Sequence, residues 1–105
     1  MGPMTEQLID VLDQLATVLE SDGDTHWSQW IRKARAHVMN SDYYGIEYLL
    51  SGYGGAGSFS DLILGQSSIN GAFAWKPGHV ELNNTFDALR DEAAALAGTI
   101  KRPQG

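Results

Sequence analysis

Ser51-Gly52-Tyr53-Gly54-Gly55-Ala56-Gly57-Ser58-Phe59-Ser60-Asp61 stands at the middle of the chain, between a helical pattern and a short apolar run. Four of the six residues from Gly52 to Gly57 are glycine. Backbone of that kind reaches conformations closed to other residues and can approach a neighbouring group closely. The letters Gly52-x-Gly54-x-x-Gly57 fit the dinucleotide fingerprint, which would make this an α/β unit. That motif needs a preceding strand, so that the following helix can hold a pyrophosphate at its N-terminus. Here a helical pattern precedes it, no lysine follows as in a P-loop, and Asp61 adds negative charge. The stretch reads instead as a tight crossover between helices, delivering Tyr53 and Phe59 inward from its two sides.

Upstream of the turn the helical signals are clear. Leu8, Val11, Leu12, Leu15, Val18 and Leu19 recur at steps of three and four, one face of a helix. Glu6, Asp10, Asp13, Thr17 and Glu20 fall almost opposite at about 100° per residue. Gly23 is the expected stop. Asp24 is a good N-cap for a second helix, Thr25 to about Met39, with Trp27, Ile31, Ala34 and Val38 inward and Trp30 on the edge of that stripe. His26 and His37 lie about 16 Å apart along its axis, too far to share a metal. Asn40 is the expected stop, and Ser41 the expected cap of a third helix, Asp42 to about Ser51. Within it Ile46, Leu49 and Leu50 point inward. Gly45 inside that helix costs roughly 1 kcal/mol of propensity against Ala, which close approach of a neighbouring helix would offset.

Downstream, Ser58 can cap a short helix starting at Phe59. Gly65 to Gly78 reads as irregular, with Asn70-Gly71 as a turn signal and Ala72-Phe73-Ala74-Trp75 as a strand pairing back on Leu62–Leu64. A long excursion of this kind is functional or mobile, and Phe73 and Trp75 are expected to pin it to the core. Leu82, Phe86, Leu89, Ala93, Leu96 and Ile100 repeat at helical spacing and predict a last helix from about Asn84 to Ala97, stopped by Gly98. The expected fold is mainly α: a compact bundle of four helices, a short helix after the glycine-rich turn, and a minor β-hairpin around residues 62–76. One domain spans residues 4–100. Met1-Gly2-Pro3 reads as a cloning remnant before a native start at Met4, and residues 101–105 read as a loose tail.

The 105 residues include seven Lys and Arg against thirteen Asp and Glu, a net charge of −6. Such a surface repels phosphate backbones, which disfavours nucleic-acid binding, and speeds encounter with a basic protein. The chain has no cysteine, so disulfides and thiolate metal sites are excluded and a cytoplasmic location is expected. No apolar run is long enough to span a membrane and no basic-then-apolar leader opens the chain. We expect no cofactor and no metal. Asp22 and Asp24 flank Gly23 in an Asp-x-Asp pattern, yet the remaining positions of a calcium loop are not filled. Ser58 or Ser60 with His79 and Asp61 could be written as a nucleophilic set, but no elbow motif supports it.

Thr25-His26-Trp27-x-x-Trp30-Ile31, followed by Leu49-Leu50-Ser51-Gly52-Tyr53-Gly54-Gly55-Ala56-Gly57-Ser58-Phe59-Ser60-Asp61-Leu62, resembles a family of small bacterial proteins known as a domain of unknown function. The resemblance covers about residues 8–66 and, more loosely, the final helix. Met at position 56 and Asn at position 60 are usual there, so this loop is a variant. The family has no assigned activity, so no catalytic residue carries over. Small acidic bacterial domains of this general type include immunity proteins that block a toxin, an analogy with a class. The leading expectation is therefore a protein-binding module and not an enzyme: an immunity-type inhibitor that occludes a basic toxin. Asp10, Asp13, Glu20, Asp22, Asp24, Tyr53 and Asp61 are its candidate partner-binding residues. The alternative is a small-ligand-binding or enzymatic domain centred on the Gly52–Gly57 turn, with Tyr53, Asp61 and His79. A structural subunit is a third reading, and the oligomeric state is left open.

Overall fold

The computed structural model describes residues 2–54 and 58–101. Gly55, Ala56 and Gly57 of the glycine-rich turn, and residues 102–105 of the expected tail, lie outside the described residues. The chain forms α1 (Pro3–Ser21), α2 (Thr25–Met39), α3 (Tyr44–Leu50), a 3-10 turn at Ser51–Tyr53 and another at Phe59–Asp61. It continues with β1 (Gln66–Ile69), β2 (Ala72–Trp75) and α4 (His79–Lys101). The fold is mainly helical with one small antiparallel hairpin, as the periodicities predicted.

The apolar stripe of α1 is the centre of the bundle. Leu8, Leu12, Leu15, Ala16 and Leu19 are fully buried, and α1 packs against both α2 and α4. Burying each leucine contributes roughly 1.5–3 kcal/mol. Ile31 and Ala34 of α2, Leu49 of α3, and Phe86, Ala93 and Ala97 of α4 close the same core. α3 bridges α2 and α4.

The ends of α1 and α2 share one chemistry. Gly23 sits at φ 83°, while Gly23 N–H donates to Glu20 O and Asp24 N–H donates to Leu19 O, both at 3.0 Å. This is the Schellman arrangement that satisfies the last carbonyls of a helix. Asp24 then caps α2, accepting from Trp27 N–H at 2.8 Å. Ser41 repeats the arrangement at φ 57°, with Ser41 N–H on Val38 O at 3.0 Å and Asp42 N–H on His37 O at 2.9 Å. Ser41 therefore closes α2 and does not cap α3, contrary to expectation. The side chain of Asp42 takes that place, accepting from Tyr44 N–H at 3.0 Å, and α3 begins two residues later than expected.

Gly45 and Gly52 are required by close approach. A Cβ on Gly45 would stand 2.7 Å from His37 Cβ and 3.0 Å from Val38 N, so α3 lies directly on α2. A Cβ on Gly52 would collide with the Trp30 ring. That ring is held between Trp27, Tyr48 and Phe59, with centroids 5.2–5.5 Å away.

The short helix expected after Ser58 is present as a single 3-10 turn, Phe59–Asp61. Three further expectations are corrected downstream. β2 pairs with Gln66–Ile69 and not with Leu62–Leu64: Ile69 faces Ala72 and Gln66 faces Trp75. Asn70 and Gly71, both at positive φ (53° and 80°), form a two-residue turn that fixes this register. Phe73 and Trp75 do not reach the core; they are 61% and 45% exposed. Finally, α4 runs five residues earlier and four later than expected. Asn83 supports its first turns by donating to His79 O at 2.9 Å and Leu64 O at 2.8 Å. Beyond Gly98 the half-buried Ile100 packs on the core, and Tyr43 Oη–H donates to Lys101 O at 3.2 Å. Pro3 occupies the first turn of α1.

Gly45→Ala gains about 1 kcal/mol of helix propensity but overpacks the α2–α3 contact by about 1–3 kcal/mol. We expect a net loss of up to about 2 kcal/mol in urea unfolding, where an ordinary mid-helix glycine would show a gain.

Candidate functional site

Most of the acids singled out in the sequence are engaged inside the molecule. Arg32 of α2 reaches across to α1, donating from Nε and Nη2 to Glu20 at 2.7 and 2.9 Å and from Nη1 to Asp13 at 3.3 Å. This partner lowers the pKa of Glu20. Asp10 accepts from Gln14 Nε2 at 2.9 Å. Asp22, nearly buried, accepts from Lys76 Nζ at 3.0 Å and from Gly65 N–H at 3.1 Å. Asp24 is spent on its cap. The candidate acids of α1 and of the junction after it are thus divided among an Arg32 bridge, the contact of Asp10 with Gln14, a cap for α2 and an anchor for the hairpin. His37 Nδ1 lies 2.9 Å from Asp42. The carboxyl of Asp42 is held below its usual range by the Tyr44 N–H first and by His37 second. Among the described residues no cluster of three His, Cys, Asp or Glu is arranged to hold a metal ion.

Tyr53 and Phe59, the two aromatics delivered by the turn, go inward as expected. Phe59 is fully buried, with ring centroids 5.2–5.6 Å from Trp27, Trp30, Tyr53 and Phe86. Tyr53 Oη–H donates to Arg90 O on α4 at 2.7 Å. The Arg90 side chain returns the contact, donating from Nη1 to Phe59 O at 2.9 Å and Leu62 O at 3.0 Å, while Nη2 pairs with Asp87 at 2.6 Å. The two described flanks of the turn are therefore fastened to one residue of α4. Arg90 carried no sequence signal beyond its place on the polar side of a helix.

A groove of about 510 Å³ opens beside this clamp, between Ser60–Ile63 and the first turns of α4, with Asp61, Trp75, His79, Val80 and Asp87 among its walls. Asp61 and His79 meet here, but Tyr53 does not line it. The Trp75 ring stacks on His79 at 4.7 Å and 17°. His79 Nδ1 faces Lys76 O at 3.1 Å, and the Ser60 hydroxyl lies 2.7 Å from that of Ser58. Around the groove and hairpin, Ile63, Ile69, Phe73, Trp75 and Val80 are exposed. Sequence reasoning missed this apolar surface. The alternation Ala72-Phe73-Ala74-Trp75 put both rings on one face of a strand, but did not say that the face is uncovered.

Residues 20–71 match the model of a family described as Domain of unknown function (DUF6966). No curated protein and no solved structure matches the chain. The DUF6966 segment takes in α2, α3, both flanks of the glycine-rich turn and β1. It stops at Gly71, so Phe73, Trp75 and the α4 wall of the groove lie outside it. Among the described residues no helix is long and apolar enough to cross a membrane.

The Tyr53–Arg90 clamp yields two expected outcomes. Tyr53→Phe costs about 1 kcal/mol of unfolding free energy, whereas Arg90→Met, which strips the Phe59 and Leu62 carbonyls of their donor, costs about 2–3 kcal/mol. The Tyr53 phenol is pushed well above the ordinary 10.0 by burial, opposed by Arg90 and aided by Asp91. The folded state then keeps a proton that the unfolded chain releases. Its contribution is intact below pH 10 and is lost as pH rises beyond that. Denaturation curves across the alkaline range should fall more steeply for the native chain than for Tyr53→Phe.

Proposed function

We propose that the protein is a protein-binding module, in its most concrete form an immunity-type inhibitor that neutralises a basic toxin by occlusion. The observation that carries this reading is the exposed apolar surface of Ile63, Phe73, Trp75 and Val80 beside a groove walled by Asp61 and Asp87. Aromatic side chains anchor interfaces because they bury large area at little entropic cost, and acids at the margin steer a cationic partner. A net charge of −6 extends that steering to the whole molecule.

The geometry moves the emphasis within the candidate set. Asp13, Glu20, Asp22 and Asp24 already hold Arg32, Lys76 and a helix end, so they contribute to the field more than to direct contact. Asp61 is the acid of the set that shares a wall with the exposed aromatics. The small-ligand or enzymatic alternative at the Gly52–Gly57 turn loses support from two of its members. Gly52 is filled by Trp30, and the Tyr53 hydroxyl is committed to Arg90 O. A cytoplasmic location fits the cysteine-free composition and remains part of the proposal.

Affinity capture from the producing cells tests the reading, with the native chain and Phe73→Ser/Trp75→Ser as paired baits. A cationic protein retained only by the native bait, and eluted by raising salt, supports the module; growth rescued by co-expression with that protein supports immunity. Trp75→Ala should weaken the complex by about 2 kcal/mol or more, chiefly through faster dissociation, while Asp61→Lys should slow association. Identical retention by both baits would sink the hairpin as the docking surface.

A further inference from the structure

The hairpin carries more than exposed rings. Ile69 and Ala72 flank a two-residue turn, where the facing residues exchange ladder hydrogen bonds. Ladder pairing alternates along an antiparallel hairpin, so Ser67–Ala74 is the next bonded pair and Ser68–Phe73 and Gln66–Trp75 are not. Continuation of the ladder at its base agrees: Lys76 N–H donates to Gly65 O at 2.8 Å. The N–H and C=O groups of Phe73 and Trp75 therefore point away from β1, along an edge whose four residues are all exposed. Among the described residues no hydrogen bond reaches those four groups. They are spaced at about 6.8 Å, the two-residue repeat of another strand. The Phe73 and Trp75 rings lie 5.1 Å apart above this edge, and Trp75 joins the edge to the groove.

An edge of this kind is a template for strand addition, and native proteins that do not use it block it with charge, proline or a covering element. From Gln66 to Trp75 there is no charged residue and no proline. The geometry points to β2 as the docking edge for an extended, basic segment of a partner protein, which adds as a third strand and lays alternate apolar side chains on Phe73 and Trp75. This deepens the protein-binding reading and rests on it. Charge complementarity selects the occupant: the chain carries −6, and Asp61 and Asp87 outnumber the one arginine, Arg90, that borders the adjoining groove and pairs with Asp87. A second copy of the chain would bring the same acids and the same charge against them. A helical segment would cover the rings but leave the edge groups without partners.

The test uses the full chain, labelled with nitrogen-15, and an alternating lysine–valine peptide as probe. On adding the peptide, amide exchange at Phe73 and Trp75 should slow by about tenfold or more, and the same peptide N-methylated at its valines should give no protection. Unchanged exchange at both amides overturns strand addition. If the captured natural partner is then still lost with Phe73→Ser/Trp75→Ser, the module reading stands without it. Peptide-induced changes confined to the acidic face of α1 also overturn the inference. So does protection that appears without peptide and grows with protein concentration, which would mark the edge as self-pairing.

Discussion

Burial of one ring, Phe59, is the interaction on which the rest of the structure depends. It stands within 5.2–5.6 Å of Trp27 and Trp30 on α2, Tyr53 before the turn, and Phe86 on α4. Edge-to-face and tilted pairs of this kind add roughly 0.5–1.5 kcal/mol each to the area they bury. Tyr53 and Phe59, on the two described flanks of the glycine-rich stretch, meet edge to face in this cluster. Gly52 lets the incoming backbone pass against the Trp30 ring, where any side chain would hold the turn off the cluster.

α4 makes the crossover permanent by electrostatic means. The Arg90 guanidinium gathers two carbonyls from the exit of the turn and pairs with Asp87, while its own carbonyl receives the Tyr53 hydroxyl. Further along, Asn83 brackets Leu64, accepting from its N–H and donating to its O, both at 2.8 Å. The segment from Phe59 to Leu64 thus has no partner strand, yet four of its backbone groups, Phe59 O, Leu62 O and both of Leu64, are met by side chains of one helix. That is how irregular backbone lies against a core without orphaned polar atoms.

Much of the bundle was legible because its helices obey local rules. The α1 stripe, the Asp24 cap and the Thr25–Met39 span follow from periodicity and capping chemistry that act over a few residues. The errors all involve competition between distant or overlapping demands. Ser41 reads as a cap by residue type but is taken up in closing α2. Gly98 reads as a stop but is overridden by packing of Ile100 beyond it. The hairpin register was misjudged because the Asn70-Gly71 turn alone sets it, and that turn pairs β2 with the polar run Gln66–Ser68, not with the apolar Leu62–Leu64. At the candidate site, Asp61 and His79 were visible as residue types. Trp75, Val80 and Ile63 were not, since exposure of an apolar side chain is a property of what fails to cover it.

A two-stranded hairpin is marginal on its own in water, and this one is held at its base. Lys76 reaches back to Asp22 through both the carboxylate and the main-chain oxygen, each at 3.0 Å, and Asp22 also accepts from Gly65 N–H. One nearly buried carboxylate at the end of α1 therefore grips both strands where they leave the bundle. The Trp75–His79 stack adds a second grip on the α4 side. With the base fixed, the distal pairs need no packing from the body of the protein, and their apolar face and outer edge stay open to solvent. Asp22, a candidate partner-binding acid by sequence, is thus spent on holding out the hairpin and its exposed apolar side chains.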